Sequence, residues 1–218
     1  MRLIVVASVM TALTSLAAAD APTPRFAQPP PGNAPRADID YERLPMRTLD
    51  RAQVRAKLAA NRQANVDRFR TYQAGGVFPS NTYEDRKLNV WLDEAGHFCA
   101  AATIIRMSGQ VALVDNVAAQ NNFIKLGDVV QGPVMDWILT SGLTQGEIAA
   151  IQEPFSMVGE PSPVVAVDPT LRTQEDVRLR TKYKRVEAQI VKAAAGSLDA
   201  ATDRLMRTPT LARQLLAS

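Results

Sequence analysis

The chain has 218 residues, of which 25 are Lys or Arg and 22 are Asp or Glu, so its formal charge is +3. So small a positive excess is not typical of nucleic-acid-binding proteins, and we expect no nucleic-acid partner. A single Cys and a single His exclude an intrachain disulfide and a zinc site with the usual set of protein ligands.

The first nineteen residues have the pattern of a secretory signal peptide. A basic start, Met1-Arg2, precedes an apolar run over residues 3–16, and Ala17-Ala18-Ala19 supplies the small side chains that a signal peptidase recognises. The apolar run is too short to remain as a membrane span. We therefore expect cleavage after Ala19 and a periplasmic or secreted protein that does not span the membrane afterwards.

Residues 20–47 hold seven of the fourteen prolines. Pro29-Pro30-Pro31 favours an extended polyproline conformation, and few side chains in this stretch could contribute to a core. The composition predicts a proline-rich tether between the cleavage site and a folded domain.

The tether also contains alternating carboxylates, Asp38, Asp40 and Glu42, as at the start of a calcium-binding loop. Arg43 stands where such a loop needs glycine, and Leu49 stands where it needs a bidentate glutamate. This segment is therefore interpreted as a solvated acidic stretch, and we expect neither a metal nor a cofactor.

A long helix is predicted over residues 48–74. Thr48 can cap its start, and Gly75-Gly76 can end it through a left-handed turn. Its inward face repeats at spacings of three and four and comprises Val54, Leu58, Asn61, Asn65, Phe69 and Tyr72. Buried amides need partners, which are either the main chain of a packed loop or a bound ligand. Both interpretations stay open for Asn61 and Asn65.

A β-hairpin is predicted near residues 88–101. Two apolar stretches flank the turn Asp93-Glu94-Ala95-Gly96, which has Asp at its first position and Gly at its last. Along the first stretch, Val90 points to one face and Trp91 to the other. Trp91 is a third candidate ligand-binding residue.

Signals for further helices continue to the end of the chain. Pro133 can open one helix, and Thr144 with Glu147 forms a capping box for another. Residues 154–171 carry four prolines, which indicate a linker or covering strap. The remaining predicted helices cover residues 100–107, 111–121 and 173–195, with two shorter ones opening at Ser197 and Thr208.

Two motifs resemble a known group of sequences. The first is Asp93-x-x-Gly96-x-x-Cys99-Ala100, and the second is Ser141-Gly142-Leu143-Thr144-x-x-Glu147, followed by Ile151-Gln152. This pattern resembles a loose group of uncharacterised exported bacterial proteins, over roughly residues 55–155. The resemblance implies a bacterial envelope setting, and it transfers no activity and no catalytic residue.

Cys99 and His97 are the only thiol and the only imidazole, two residues apart at a predicted strand end. One interpretation is a cysteine nucleophile with His97 as its base, with a helix start lowering the thiol pKa. The other is a buried structural cysteine, because side chains at this spacing on a strand lie about 6 to 7 Å apart. The second interpretation predicts no catalytic residue, and the first remains the alternative.

The last long helix carries the strongest local charge bias of the chain. Its basic residues are Arg172, Arg178, Arg180, Lys182, Lys184, Arg185 and Lys192, set against three acidic residues. A solvated helix face would explain the pattern. The alternative is contact with anionic envelope components, such as phospholipid headgroups or cell-wall polymer.

These observations predict a mostly α protein: a small helical domain with one inserted β-hairpin, plus C-terminal helices. The expected segments are a signal peptide (1–19), a tether (20–47), a mainly helical domain (48–155), a linker (156–171) and C-terminal helices (172–218). The predicted core comprises Leu58, Phe69, Val90, Leu92, Ile104, Leu113, Val117, Ile138, Leu143, Ile148 and Ile151.

For function, the sequence favours an exported envelope protein that is a non-enzymatic binding or structural module. The alternative is a cysteine-dependent hydrolase or thiol protein that uses Cys99 and His97.

Overall fold

The computed structural model describes residues 48–160 and 166–218. The predicted signal peptide, the tether and its acidic segment lie outside the described residues. The described part is mostly helical, as predicted. Its helices are α1 (Arg51–Gly75), α2 (Ala100–Met107), α3 (Val111–Gln120), α4 (Pro133–Thr140), α5 (Gln145–Ile151), α6 (Pro169–Lys192), α7 (Ala194–Met206) and α8 (Pro209–Ala217).

Helix α1 begins at Arg51, three residues after the predicted start at Thr48. The Asp50 carboxylate, not the Thr48 hydroxyl, accepts hydrogen bonds from the backbone amides of Ala52 and Gln53. A charged acceptor is the stronger cap at the positive end of a helix. At the other end, Gly76 adopts a left-handed conformation with φ of 64°, as the sequence predicted.

The predicted β-hairpin is wrong as a pair of strands. The turn exists, but a single antiparallel bridge, between Leu92 and Phe98, closes it. The Asp93 amide donates to the His97 carbonyl on one side of the bridge, and the Cys99 amide donates to the Trp91 carbonyl on the other. The main chain cannot extend the ladder because α2 begins at Ala100. The two short strands that the structure does describe, β1 (Gly159–Glu160) and β2 (Ala166–Val167), pair with each other elsewhere.

The signals in the middle of the chain predicted the helices well. Helix α2 has the predicted bounds, and Pro133 opens α4. The capping box of α5 is complete: the Thr144 hydroxyl accepts from the Glu147 amide, and the Glu147 carboxylate accepts from the Thr144 amide.

Helix α6 differs from its prediction at both ends. It begins at Pro169, because the Asp168 carboxylate caps it by accepting from the amides of Thr170 and Leu171. It ends at Lys192, where Ala193 separates it from α7. The predicted start at Thr173 overlooked the Asp-Pro pair, which is a strong helix-opening signal.

The C-terminal helices pack on α1. Phe69 of α1 meets Tyr183 of α6 edge to face, with ring centroids 5.5 Å apart. At the other end of α1, Val54 and Leu58 lie in a second apolar cluster with Leu205 of α7. Nine of the eleven predicted core residues are buried; Leu92 and Leu113 are only partly buried.

The segment after α5 covers the core, and its described part acts as a strap. Phe155 and Val158 are fully buried. The Asn81 side-chain amide donates to the Phe155 carbonyl, and the Ser156 amide donates to the Glu175 carboxylate of α6. These bonds hold residues 155–158 against the core even though they form little regular structure.

Helix α1 approaches the α4–α5 connection closely at Gly142. Gly142 has φ of 76°, and a Cβ atom there would lie 2.1 Å from the Leu58 carbonyl oxygen. Only glycine fits this backbone conformation and this gap. The close approach brings the end of α4 against the side chains of α1 that the sequence singled out.

Among the helices that the structure describes, none combines the length and apolar character needed to cross a membrane.

Candidate functional site

Asn61 and Asn65 both reach the main chain at the end of α4. The Asn61 amide nitrogen donates to the Thr140 carbonyl at 2.8 Å, and the Asn65 amide nitrogen donates to the Ser141 carbonyl at 2.9 Å. Carbonyls at a helix C-terminus lack intrahelical partners, so these two amides satisfy them. This is the packed main-chain role expected for buried amides, and it fixes the orientation of both side chains.

The same two residues line a cleft of about 300 Å³. The cleft lies where α1 meets the turn after α2, the end of α4 and the end of α8. Its side walls are mainly polar, and they include Asn61, Asn65, Arg68, Ser108, Gln110, Trp137 and Thr140. The volume is at the lower end of the range for small-molecule sites.

Arg68 is the charged side chain of this cleft, which Ser218 at the end of α8 also lines, and the sequence did not single Arg68 out. Its Nη1 donates to the Asn65 side-chain oxygen at 2.6 Å, and the side chain is half-buried. Asn65 therefore links the guanidinium to the Ser141 carbonyl in one chain of hydrogen bonds. The signal available was its spacing, because Arg68 lies three residues after Asn65 on the same helix.

Trp137 contributes the aromatic wall of the cleft. Its indole nitrogen donates to the Ser108 hydroxyl at 2.9 Å, and that hydroxyl donates to the Ile105 carbonyl at 2.6 Å. Trp137 is 8% exposed. These bonds hold the ring in one orientation at the edge of the site.

Trp91, the tryptophan proposed as a ligand-binding residue, lies elsewhere. It is fully buried, and its indole nitrogen donates to the Val114 carbonyl at 3.0 Å. Alternation along a strand had placed it away from Val90, but with no strand there both side chains enter the core. Trp91 therefore has no surface to offer to a ligand.

Cys99 is fully buried at the start of α2. Burial raises the pKa of its thiol to about 12, although the nearby backbone amides of α2 act in the opposite direction. Its sulfur accepts from the Ala102 amide at 3.4 Å and so caps the helix. A thiol with such a pKa is protonated at neutral pH and is a poor nucleophile.

His97 interacts with Asp93 instead of Cys99. Its Nδ1 lies 3.1 Å from an oxygen of the Asp93 carboxylate, within the turn that precedes α2. The buried Asp93 carboxylate also accepts from the amides of Ser80, Ala95 and His97. The structure therefore shows no hydrogen bond between the imidazole and the thiol that the hydrolase interpretation would pair.

The basic residues of α6 fall into two groups. In the first, Arg178 pairs with Glu153 and Glu175, and Lys182 also pairs with Glu153. Arg172 pairs with Asp176 and donates to the main chain around residues 78–79. These cations attach α6 to the strap and to the loop after α1, so their role is structural.

The second group is exposed. Arg180 lies over the Phe78 ring, 5.6 Å from its centroid, and donates to the Gly76 carbonyl. Lys184, Arg185 and Lys192 are exposed and form no ion pair with the described residues. The basic surface of α6 is therefore smaller than its sequence suggested.

Within residues 48–160 and 166–218, no group of three or more His, Cys, Asp or Glu side chains is arranged to hold a metal ion.

Compared with family models, with curated proteins and with solved structures, the chain matches none.

Proposed function

We propose that this protein is an exported, non-enzymatic binding module of the bacterial envelope, and that its ligand binds in the polar cleft between α1, α4 and α8. One observation carries the proposal. The cleft gathers Asn61, Asn65 and Arg68 around an aromatic wall, and the hydrogen bonds of these side chains to one another and to the main chain hold them in place. Preorganised polar groups of this kind suit binding.

The surroundings of Cys99 support a non-enzymatic role over the cysteine-hydrolase alternative. A catalytic thiol must be reachable and close to its base. Cys99 is fully buried, and the imidazole of His97 is engaged with Asp93. Thiol labelling, described in the Discussion, separates the two interpretations.

Export rests on the sequence of residues 1–19, and it places the ligand outside the cytoplasm. The mature protein should begin at Asp20 and should be found in the periplasm or the medium. N-terminal sequencing of protein from those fractions tests this, and a chain that still begins at Met1 would contradict it.

We assign a contact with anionic envelope components to Lys184, Arg185 and Lys192. Their exposure supports the assignment, and a surface contact of this kind should weaken with salt. Co-sedimentation with vesicles containing anionic lipid, or with cell walls, should fall when all three are changed to Gln. The matched control is the exposed Arg207→Gln, which should leave sedimentation unchanged.

The cleft itself can be tested by tryptophan fluorescence, because the chain has only two tryptophans. Soluble peptide–sugar fragments of the cell wall (muropeptides) are added to the mature protein. Trp137 lines the cleft, so its emission should change on binding, whereas the emission of the fully buried Trp91 should not. The change should be lost in Trp137→Phe. A change that persists in this variant, or no change in the wild type, would contradict the proposal.

A further inference from the structure

The outer face of α6 combines apolar and basic side chains. Val177, Lys184 and Val191 follow one another at intervals of seven residues, close to two helical turns, so they lie in one line along the helix. The two valines are 61% and 51% exposed, and Lys184 is exposed between them. The opposite face of the helix is buried against the core. The line therefore faces solvent along about 21 Å of the helix.

The charge of this outer face is positive. Each of the three acidic residues of α6 is already paired with an arginine: Glu175 with Arg178, Asp176 with Arg172 and Glu187 with Arg70. By contrast, Lys184, Arg185 and Lys192 are exposed and form no ion pair with the described residues. Arg185 and Lys192 each follow a member of the line by one residue, so they lie beside it. Uncompensated positive charge thus adjoins exposed apolar side chains.

This combination distinguishes between the anionic components of an envelope. An anionic polymer attracts the cations of the face but offers nothing to its valines. A bilayer that contains anionic lipid attracts the cations through its headgroups and takes up apolar side chains at the boundary beneath them. A helix that lies parallel to such a surface brings all the side chains of one line into contact with it together.

We propose that α6 docks on the surface of a bilayer that contains anionic lipid, with Lys184, Arg185 and Lys192 at the headgroups; this assignment rests on the proposed function in the envelope. Val177 and Val191 enter the boundary between headgroups and acyl chains. The inner face of α6 stays packed on the core, so docking requires no refolding. Attraction to a charged surface is screened by salt, so the contact is reversible.

The first test compares vesicles that differ in charge. The mature protein is mixed with vesicles of phosphatidylcholine, with or without phosphatidylglycerol, and binding is measured by co-sedimentation. Only the vesicles with phosphatidylglycerol should bind, and less so as salt is added. Changing all three cations of the face to Gln should lower the affinity about a hundredfold, from about fivefold for each cation. A matched control removes the same charge from exposed cations outside α6, by Lys125→Gln, Arg207→Gln and Arg213→Gln, and should bind almost as the wild type does.

The second test separates a bilayer from an anionic polymer. Val177→Ser combined with Val191→Ser keeps the charge of the face and removes its apolar side chains. This variant should bind the anionic vesicles about fivefold or more weakly than the wild type, and it should bind dextran sulfate, a soluble anionic polymer, equally well. Val130→Ser is the matched control, because Val130 is 83% exposed outside α6, and it should leave vesicle binding unchanged.

The wild-type protein alone can overturn the inference. Equal binding to the two kinds of vesicle, or binding to neither, would do so. Vesicle binding that survives unchanged in the valine variant would also overturn it, because an anionic polymer would then fit the face as well as a bilayer does.

The cleft is followed independently, through Trp137 and muropeptides. A Trp137 response without vesicle binding would remove this inference and leave the proposed binding function. Vesicle binding without a Trp137 response would support the docking face while the proposed cleft function fails.

Discussion

The guanidinium of Arg62 holds the carboxylate of Glu147 by two hydrogen bonds, from Nη1 to Oε2 at 2.8 Å and from Nη2 to Oε1 at 2.6 Å. The same guanidinium donates to the carbonyls of Gly142 and Ile190. One largely buried side chain thus joins α1 to the α4–α5 connection, to α5 and to α6, next to the proposed cleft.

Arg62→Ala should therefore be strongly destabilising. It leaves a largely buried carboxylate and two carbonyls without their donor, and breaking such a pair costs about 3 to 5 kcal/mol. Arg51→Ala is the matched control, because Arg51 pairs with Asp203 in an exposed position, where solvent screens the attraction and the loss of the pair should change stability little. Urea unfolding measures both. An equal loss of unfolding free energy in the two variants would show that the buried Arg62–Glu147 pair contributes no more than the exposed pair.

The same pair predicts how stability depends on pH. Burial alone would raise the pKa of the Glu147 carboxyl, but the hydrogen bonds from Arg62 and the Thr144 amide outweigh burial and hold the pKa below its ordinary value. The stabilisation is therefore present above the ordinary glutamate pKa of about 4.3 and is lost as the pH falls through the lower folded value.

The variant Glu147→Gln lacks this pH-dependent stabilisation. Its unfolding free energy should lie below that of the wild type at neutral pH, and the two should converge as the pH falls below the ordinary glutamate pKa and through the lower folded value. Urea unfolding across this range checks the prediction. A constant difference between the two proteins at every pH would contradict it.

Gly142 and Gly146 provide a second matched pair. Gly142→Ala combines a positive φ with a Cβ atom 2.1 Å from the Leu58 carbonyl, so it should cost more than about 2 kcal/mol. Gly146 lies in helix α5, and a Cβ atom added there would have no neighbouring atom within 4 Å, so Gly146→Ala should be neutral or slightly stabilising. Thermal unfolding measures both. A tolerated Gly142→Ala would mean that α1 and α4 are farther apart than described.

Cys99 should resist thiol reagents in the folded protein, because it is fully buried and its pKa is raised to about 12. Iodoacetamide at neutral pH should label it only after unfolding, and His97→Ala should not change the rate. Rapid labelling of the native protein that slows in His97→Ala would favour the cysteine-hydrolase interpretation.

The capping role of Cys99 gives a separate comparison, of stability instead of labelling. Its sulfur accepts from the Ala102 amide, so Cys99→Ser, which can also cap, should be more stable than Cys99→Val, which cannot. The difference should be about 1 kcal/mol in thermal or urea unfolding. If valine is the more stable replacement, apolar packing outweighs the cap.

Local sequence signals predicted the helices better than they predicted the pairing of strands. Helix α2 and the capping box at Thr144 depend on neighbouring residues, and the sequence placed them correctly. The hairpin depended on whether two segments would form a ladder. The ladder stops because α2 begins at Ala100, and the backbone amide of Trp91 donates instead to the distant Asn122 carbonyl. A contact about thirty residues away cannot be read from local alternation.

The sequence also predicted only the part of the candidate site that local signals reveal. Asn61 and Asn65 stood out because amides are unusual on an apolar helix face. Arg68 did not, because α1 has four other arginines and their pairing with distant residues, such as Asp203, is a property of the fold. Trp91 was misplaced when the strand on which its orientation depended did not form.

The central claim is that the cleft around Asn61, Asn65 and Trp137 binds ligand, and nuclear magnetic resonance tests it most directly. Muropeptides are titrated into ¹⁵N-labelled mature protein. The side-chain amide signals of both asparagines and the indole signal of Trp137 should shift together, while the buried indole of Trp91 stays unchanged. If no cleft signal shifts, or if shifts are confined to the exposed basic residues of α6, the account of this protein as a binding module acting through the cleft is wrong.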